Sequence, residues 1–191
     1  FNFVRYIEHR QKYEVDYGEV NLSGAGEGSV EIMTIHKSKG LEFPVVILAG
    51  MGKQFNFQDL NAKLLIHPDY GLGADAILPD RRMIVSTLYK QVIRRKLLEE
   101  TLGEEIRVLY VALTRAKEKL IMTGTIGNLE KRLLSLYRFR ENDQELLPAE
   151  TRLNGKTYWD YVLPALARHR CMDELFEEFG LLPSHDNLLY D

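Results

Sequence analysis

Short continuous apolar runs alternate with polar segments along the chain and predict several strands. The runs VEIMTI at 30–35 and FPVVILAG at 43–50 are both strand-like, and the second is closed by a glycine. Such runs are typical of strands buried on both faces of a parallel sheet. The run KLIMTG at 119–124 predicts a further strand. Apolar positions flank HPDYG within residues 63–77, and this pattern predicts a β-hairpin.

Apolar residues in much of the remaining chain recur with the period of a helix. Apolar residues recur every three or four positions in one stripe made by Leu98, Leu102, Ile106, Leu109, Leu113 and Ala116. This stripe predicts a long helix that extends through residues 104–119. Shorter helices are expected at 1–13 and 128–140, and residues 157–180 predict one or two helices with a break near Pro164.

The polar segments between these elements indicate how the chain is organised. Residues 18–29 are rich in Gly, Ser and Glu and predict a flexible connector. Residues 141–156, whose first part is acidic and contains a proline, predict a second linker. Two buried strands joined by a short polar turn and helix imply an α/β layer. No internal repeat is visible in the sequence.

Composition narrows the class of protein. The 191 residues are 45% hydrophobic, which is enough for one or two globular domains, and a start at Phe1 suggests a fragment or a processed form. No apolar run reaches the roughly 20 residues of a membrane span. The single cysteine, Cys171, excludes an internal disulfide framework, so a cytoplasmic location is expected. A net charge of −3 restricts any nucleic-acid contact to a local groove.

The segment TIHKSKGLEF concentrates polar residues between the first two predicted strands. Ser38 can cap a helix start, whose unpaired N–H groups attract phosphate, and Gly40 has no side chain to keep a ligand away. Lys37 or Lys39 adds a full charge, and the carboxylate of Glu42 can accept hydrogen bonds from sugar hydroxyls. A solvated surface turn explains these residues about as well from physics alone.

The predicted helix over 104–119 carries a second candidate. At about 100° per residue, Glu104, Arg107, Val111 and Arg115 lie roughly opposite the apolar stripe. Arg115 then points toward a partner or solvent, which suits recognition of phosphate and of charge that develops in phosphoryl transfer. An exposed, salt-bridged arginine is the alternative interpretation.

Other motifs do not support a site. GMGKQ is not a P-loop, because Ile47 occupies the required glycine position and Gln54 follows the lysine. The five histidines are scattered, so no metal site is expected. YKQVIRRK is better explained by a solvated helix face than by contact with nucleic-acid backbone, and YWDY by a packing anchor than by base stacking.

Two longer stretches resemble known helicase motifs. VEIMTIHKSKGLEFPVVILAG resembles motif V of the superfamily 1 helicases of the UvrD/RecB type, and EEIRVLYVALTRAKEKL resembles their motif VI. Together with FNFQDLN between them, they look most similar to the AddA-type helicase–nucleases. The resemblance covers about residues 1–127 well and the tail more loosely.

The resemblance implies a fold and a domain layout. It implies the second motor domain, an α/β RecA-like domain with a mainly parallel sheet between helices, lacking the P-loop itself, plus a helical C-terminal tail. Residues 1–17 would end an inserted 2B-type region, and 18–29 would be a linker. The motor domain would span 30–140 with an insertion at about 51–96. Residues 157–191 would lead toward a nuclease domain.

The resemblance also implies roles for single residues. Arg115 would be the catalytic arginine that reaches the γ-phosphate. Gly40 would lie near the phosphates, and Glu42 would contact the ribose. Glu104 and Arg107 would help to hold the helix. The residues implied on the DNA side are Thr34, His36 and Lys37.

The function implied is that of a fragment of an ATP-dependent DNA helicase in double-strand-break repair, inactive alone. ATP and Mg²⁺ would both require the first motor domain, which these residues do not contain. The expected partners are single-stranded or double-stranded DNA, that first motor domain and an AddB-like protein, and no membrane is expected. The alternatives are a UvrD-like repair helicase without a nuclease, or a degenerate motor domain that binds DNA or protein.

Overall fold

The computed structural model describes residues 29–140 and 146–181. The chain divides into two compact units, Phe1–Met33 and Thr34–Asp191. Only residues 29–33 of the first unit are described, and the architecture below is that of the second. The helix predicted at 1–13 and most of the connector predicted at 18–29 lie outside the described residues, as do parts of the linker and tail.

A parallel pair of strands forms the centre of the second unit. Strand β1 is Phe43–Leu48 and strand β5 is Ala116–Met122, and they pair in parallel. The strand predicted at 43–50 is therefore confirmed, as is the α/β class. The pairing slips by one residue after Phe43, so that Lys117 and Glu118 together face Pro44.

One face of this pair carries a core and the other is open. Leu48 and Met51 pack with Leu109 and Ala112 of helix α1, which is Leu88–Leu113. Val45 and Ile47 of β1 are 50% and 63% exposed. The prediction that this strand is buried on both faces is wrong for the described residues, because α1 covers only one side of it.

A second sheet lies between β1 and α1 in sequence. Strands β2 (Leu64–His67), β3 (Gly71–Leu78) and β4 (Met83–Ser86) form an antiparallel sheet in that order. The predicted hairpin is confirmed as β2–β3. Gly73 lets the sheet approach α1 closely, since a Cβ there would lie 2.9 Å from the Cα of Lys90.

The two faces of this antiparallel sheet differ. Leu65 and His67 point toward α1 and are buried, whereas their neighbours point away. The opposite face, here called the outer face, is made entirely of apolar residues: Leu64, Ile66, Leu72, Ala74, Ala76, Leu78, Met83 and Val85. Six of these residues are 40% to 67% exposed. The described part of the chain therefore leaves an apolar sheet face uncovered.

Helix α1 ends earlier than its periodicity predicts. It begins after Thr87, whose hydroxyl accepts a hydrogen bond from the Lys90 N–H at 3.2 Å, and ends at Leu113. The predicted helix over 104–119 is wrong beyond that residue. Its last part begins β5 at Ala116, because pairing with β1 outweighs the helix propensity of the sequence AKEK. For the same reason the strand predicted at 119–124 starts three residues earlier.

No strand forms at residues 30–35, contrary to the prediction. Within the described ranges, β1 pairs only with β5, and Val30 and Ile32 are 87% and 95% exposed. An apolar run without a neighbouring strand has no ladder of hydrogen bonds to join. The helix predicted after Ser38 is also absent, since residues 35–40 form a turn that leads directly to β1.

The C-terminal part is helical at 128–140 and 157–180, as predicted, and a further short helix lies within the linker predicted at 141–156. The helices are α2 (Leu129–Tyr137), α3 (Ala149–Leu153), α4 (Trp159–Leu166) and α5 (Asp173–Glu178). A second core joins α2, α4 and α5, formed by Leu133, Leu136, Ala167, Met172 and Phe176. In the described residues no helix is long and apolar enough to cross a membrane.

Pro164 does not break the tail where the sequence predicts. It lies inside α4, and the Ala167 N–H still donates to the Leu163 carbonyl at 2.8 Å. The break comes at His169, whose backbone is extended. One proline removes a single N–H donor, and in this short helix the loss is tolerated.

Candidate functional site

The polar turn before β1 is anchored by two inward residues. Ile35 packs against the core beneath the parallel strands. The buried Ser38 hydroxyl donates to the Ile35 carbonyl at 2.7 Å. Ser38 therefore secures the turn and does not cap a helix. The sequence-based explanation of phosphate binding through a helix start does not apply here.

The remaining polar residues of this turn face outward. Thr34, His36, Lys37 and Glu42 are all exposed. The Thr34 hydroxyl accepts a hydrogen bond from the Lys37 N–H at 3.3 Å, which closes the first part of the turn. The predicted DNA-side residues therefore lie together on one surface turn.

Gly40 ends the turn in a left-handed conformation with φ of +84°. A Cβ placed on it meets no atom within 4 Å. Glycine is therefore required by the backbone angle and not by crowding. The space beside Gly40 is open to a ligand.

Arg115 lies in the two-residue turn between α1 and β5, and not on the helix as predicted. Its side chain is fixed by hydrogen bonds from all three guanidinium nitrogens. Nε donates to the Val111 carbonyl, Nη1 to the Leu41 carbonyl and Nη2 to the Thr114 hydroxyl, each at 2.9 Å. The guanidinium is thus held against the turn that carries Gly40 and Glu42.

Three contacts join the two candidate segments. The first is that between Arg115 and the Leu41 carbonyl. The Phe43 N–H donates to the Arg115 carbonyl at 2.9 Å. Glu42 Oε2 lies 3.3 Å from Lys117 Nζ, in an ion pair whose side chains are both more than half exposed. The structure therefore brings Gly40, Glu42 and Arg115 to one edge of the parallel pair.

The charge at this edge differs from that of the whole chain. Residues 34–43 and 114–117 carry four cationic side chains, namely Lys37, Lys39, Arg115 and Lys117, and one carboxylate, Glu42. The entire chain has a net charge of −3. The edge is therefore locally suited to a polyanion.

Glu104 and Arg107 form an ion pair with each other on the exposed side of α1. They lie within the helix, whereas Arg115 lies beyond its end. The helix face that was expected to carry Glu104, Arg107, Val111 and Arg115 therefore ends at Val111.

The basic run at 89–96 is largely neutralised. Lys90 is buried and lies 2.7 Å from Asp75, while Arg95 pairs with Glu99 at 2.9 Å. Lys96 lies 3.6 Å from Glu100. The predicted helix face is thus present, but Lys90 is not solvated, because it joins α1 to β3.

Aromatic residues of YWDY act as packing anchors, as predicted. Tyr158, Trp159 and Tyr161 contact the core under the parallel strands. The Tyr158 hydroxyl donates to Glu105 Oε2 at 2.7 Å, and burial together with this carboxylate raises the pKa of Tyr158. Tyr158 therefore ties α4 to α1.

A metal site is not found within residues 29–140 and 146–181. No group of three or more His, Cys, Asp or Glu side chains is arranged there to hold an ion.

Sequence reasoning missed the residues that fix the candidate side chains. Thr114 and Lys117 flank Arg115 and contact Arg115 and Glu42, respectively. The Leu41 carbonyl is a third such group. These contacts depend on the boundary between helix and strand at 114–115. The sequence does not reveal this boundary, because no glycine or proline marks it.

The family profile that matches this chain and the two relatives compared with it all carry the name of a helicase. The profile of the UvrD-like helicase C-terminal domain matches residues 16–126, more than half of the chain. An ATP-dependent helicase/nuclease subunit from Clostridium beijerinckii is 48% identical over 94% of the chain, and one from Clostridium botulinum is 44% identical over all of it. The chain spans only 14% and 15% of the length of these two relatives.

Proposed function

Because the chain belongs to the family of UvrD-like helicase C-terminal domains, which have a RecA-like fold, we propose that it is a motor domain of an ATP-dependent DNA helicase. In this proposal it is part of a longer, AddA-like helicase–nuclease that acts in double-strand-break repair. Its similarity to the two clostridial helicase/nuclease proteins supports the choice of branch. A protein that moves along bacterial DNA works in the cytoplasm.

The observation that carries the proposal is the position of Arg115 beside Gly40 and Glu42. A guanidinium has five N–H groups, one on Nε and two on each terminal nitrogen. Contacts with described residues use one N–H of each nitrogen, so that Nη1 and Nη2 each keep one for an anion. An arginine fixed in this way can stabilise negative charge on a transferred phosphoryl group without reorganising.

The neighbouring residues take complementary roles in this proposal. The Glu42 carboxylate accepts hydrogen bonds from the ribose hydroxyls of ATP, and open space beside Gly40 admits the phosphates. Thr34, His36 and Lys37 face the backbone of single-stranded DNA. The residues proposed to contact the nucleotide and those proposed to contact DNA belong to one turn. A movement of this turn that follows a change at the nucleotide therefore also moves the residues that face the DNA.

The complete reaction needs parts from outside this chain. The sequence has no P-loop, and the described residues have no metal-ligand cluster. A first motor domain would supply the P-loop, the Mg²⁺ site and the residue that activates water. An AddB-like protein is the proposed partner. The isolated chain should therefore have negligible ATPase activity, and robust hydrolysis by it would contradict the proposal.

Substitution of Arg115 in the longer protein tests the proposed role directly. Arg115→Ala should lower kcat for DNA-stimulated ATP hydrolysis by about 10³-fold or more, because charge in the transition state loses its donor. Binding of ATP, measured by nucleotide fluorescence, should change little. Arg95→Ala removes an exposed, paired arginine from α1 and is the matched control. Unchanged turnover in Arg115→Ala would refute the proposed role.

A further inference from the structure

We infer that Thr114 is a positioning residue for Arg115, an inference that rests on the proposed function. Thr114 follows the last residue of α1 and precedes Arg115. Its hydroxyl contacts both the helix end and the guanidinium. We assign to it the task of holding the arginine in the orientation that phosphoryl transfer needs.

The hydroxyl of Thr114 has partners on two sides. The Tyr110 and Val111 carbonyls, at 3.0 and 3.1 Å, are available for its single proton. Its oxygen accepts a hydrogen bond from Arg115 Nη2 at 2.9 Å. A hydroxyl is both donor and acceptor, so it can connect the carbonyls at a helix end to a cation.

This connection fixes an otherwise mobile side chain. Arginine has several rotatable bonds, and its charged end keeps one orientation only where its N–H groups are bound. Contacts at Nε and Nη1 involve the Val111 and Leu41 carbonyls, and Thr114 supplies the contact at Nη2. Loss of this third contact leaves Nη2 unrestrained and allows the guanidinium to shift on its two remaining hydrogen bonds.

The nearest alternative is that Thr114 only caps α1. Thr101 offers a comparison within the same helix, because its hydroxyl donates to the Leu97 carbonyl at 2.8 Å. No hydrogen bond to a guanidinium is found for Thr101 among the described contacts. A capping role and a positioning role can therefore be separated by comparing the two threonines.

The experiment uses the longer protein and measures kcat and KM for DNA-stimulated ATP hydrolysis. Thr114→Val keeps the shape of the side chain and removes its hydrogen bonds. It should lower kcat about tenfold with little change in KM, since a misplaced catalytic group costs rate more than binding. Thr114→Ser restores the hydroxyl and should recover most of the lost rate. Thr101→Val should leave kcat unchanged.

Each outcome has a defined meaning. If Thr114→Val matches the wild type while Arg115→Ala is inactive, the positioning role is wrong and the proposed function stands. If Arg115→Ala keeps its turnover, the proposed function itself fails. If Thr114→Ser does not recover the rate, or if Thr101→Val loses as much as Thr114→Val, the effect is structural and the inference is overturned. Thermal melting of all variants shows whether they fold.

Discussion

Gly40 shows what a single residue contributes to the candidate site. Its backbone has a φ of +84°, which places Leu41 and Glu42 where they meet Arg115 and Lys117. The open space around it shows that only the backbone angle opposes a side chain at this position. Substitution here therefore measures backbone strain with little contribution from packing.

We expect Gly40→Ala to lower the free energy of unfolding by about 1 kcal/mol, the usual cost of a left-handed backbone for a residue with a Cβ. Gly103→Ala provides the opposite control. Gly103 lies within α1 in open space, so alanine there should raise the free energy of unfolding by up to about 1 kcal/mol. Urea unfolding of both variants checks the two signs. A stabilising Gly40→Ala would contradict the assigned conformation.

The proposed ribose contact can be tested at Glu42. In the longer protein, hydrolysis of ATP should be preferred over that of its 2′,3′-dideoxy analogue, because the carboxylate binds sugar hydroxyls. Glu42→Ala should remove most of this preference, a change of about tenfold in kcat/KM. Glu118→Ala, an exposed glutamate on β5, should keep the preference. An unaltered preference in Glu42→Ala would exclude the ribose contact.

At the scale of elements, buried polar contacts join helices to strands and to each other. His67 of β2 is buried, its Nε2 lies 3.1 Å from Glu100 Oε1 on α1, and its Nδ1 accepts the N–H groups of Asp69 and Tyr70. This hydrogen bond to His67 lowers the pKa of Glu100. One imidazole therefore ties the hairpin turn to the helix.

Asp160 joins α4 to α2 in a similar way. Its Oδ2 accepts the N–H groups of Lys156 and Thr157, and its Oδ1 lies 2.6 Å from Arg132 Nη2. Burial alone raises the pKa of Asp160. The hydrogen bonds from Lys156 and Thr157 and the Arg132 charge outweigh burial, so the pKa lies below its usual value.

This lowered pKa predicts a dependence of stability on pH. A carboxyl group with a lowered pKa in the folded state stabilises the protein fully above its unfolded pKa of 3.8. That contribution is lost as the pH falls through the lower folded pKa. Asp160→Asn should therefore lower the free energy of unfolding by about 1–2 kcal/mol at pH 7. This difference from the wild type should narrow below about pH 4. Urea unfolding over this pH range checks it, with Glu130→Gln as a control. A difference independent of pH would contradict it.

The elements also show how far the sequence could predict this fold. The hairpin was predictable, because HPDYG supplies the turn between two apolar runs. The end of α1 was not, since no local signal separates Leu113 from Ala116 and the boundary depends on pairing with β1. Gly40 and Arg115 could be identified as candidates from their motifs. Their shared contact with Leu41 depends on tertiary structure and could not.

At the scale of the whole molecule, the apolar outer face of the antiparallel sheet is prominent. Ile66 and Leu72 are paired across strands on this face and are 67% and 53% exposed. Large exposed apolar patches promote association of isolated domains. The parallel pair adds the exposed Val45 and Ile47. Residues 29–140 and 146–181 therefore expose more apolar surface than an independent globular protein usually does.

We expect the isolated chain to associate reversibly as its concentration rises. The double variant Ile66→Thr with Leu72→Thr should weaken this association, because threonine suits a strand but is polar. Its free energy of unfolding should change by less than about 0.5 kcal/mol. Sedimentation velocity measures the association.

Leu65→Thr provides the contrast, since Leu65 is 3% exposed on the inner face. It should destabilise the fold by about 2 kcal/mol or more and leave the association of folded molecules unchanged. Equal association of the wild type and the double variant would show that the outer face is not responsible.

The irregular pairing opposite Pro44 has a consequence for how this region can change during evolution. Lys117 and Glu118 share one partner position, and the extra residue brings Lys117 within reach of Glu42. Deletion of Lys117 or Glu118 would make the pairing of β1 and β5 more regular. It would also shift the residues that precede the deletion, including Arg115, by one position relative to β1. The spacing between Arg115 and Leu120 should therefore be fixed in length even where Glu118 is replaced, so that insertions and deletions are selected against more strongly than substitutions.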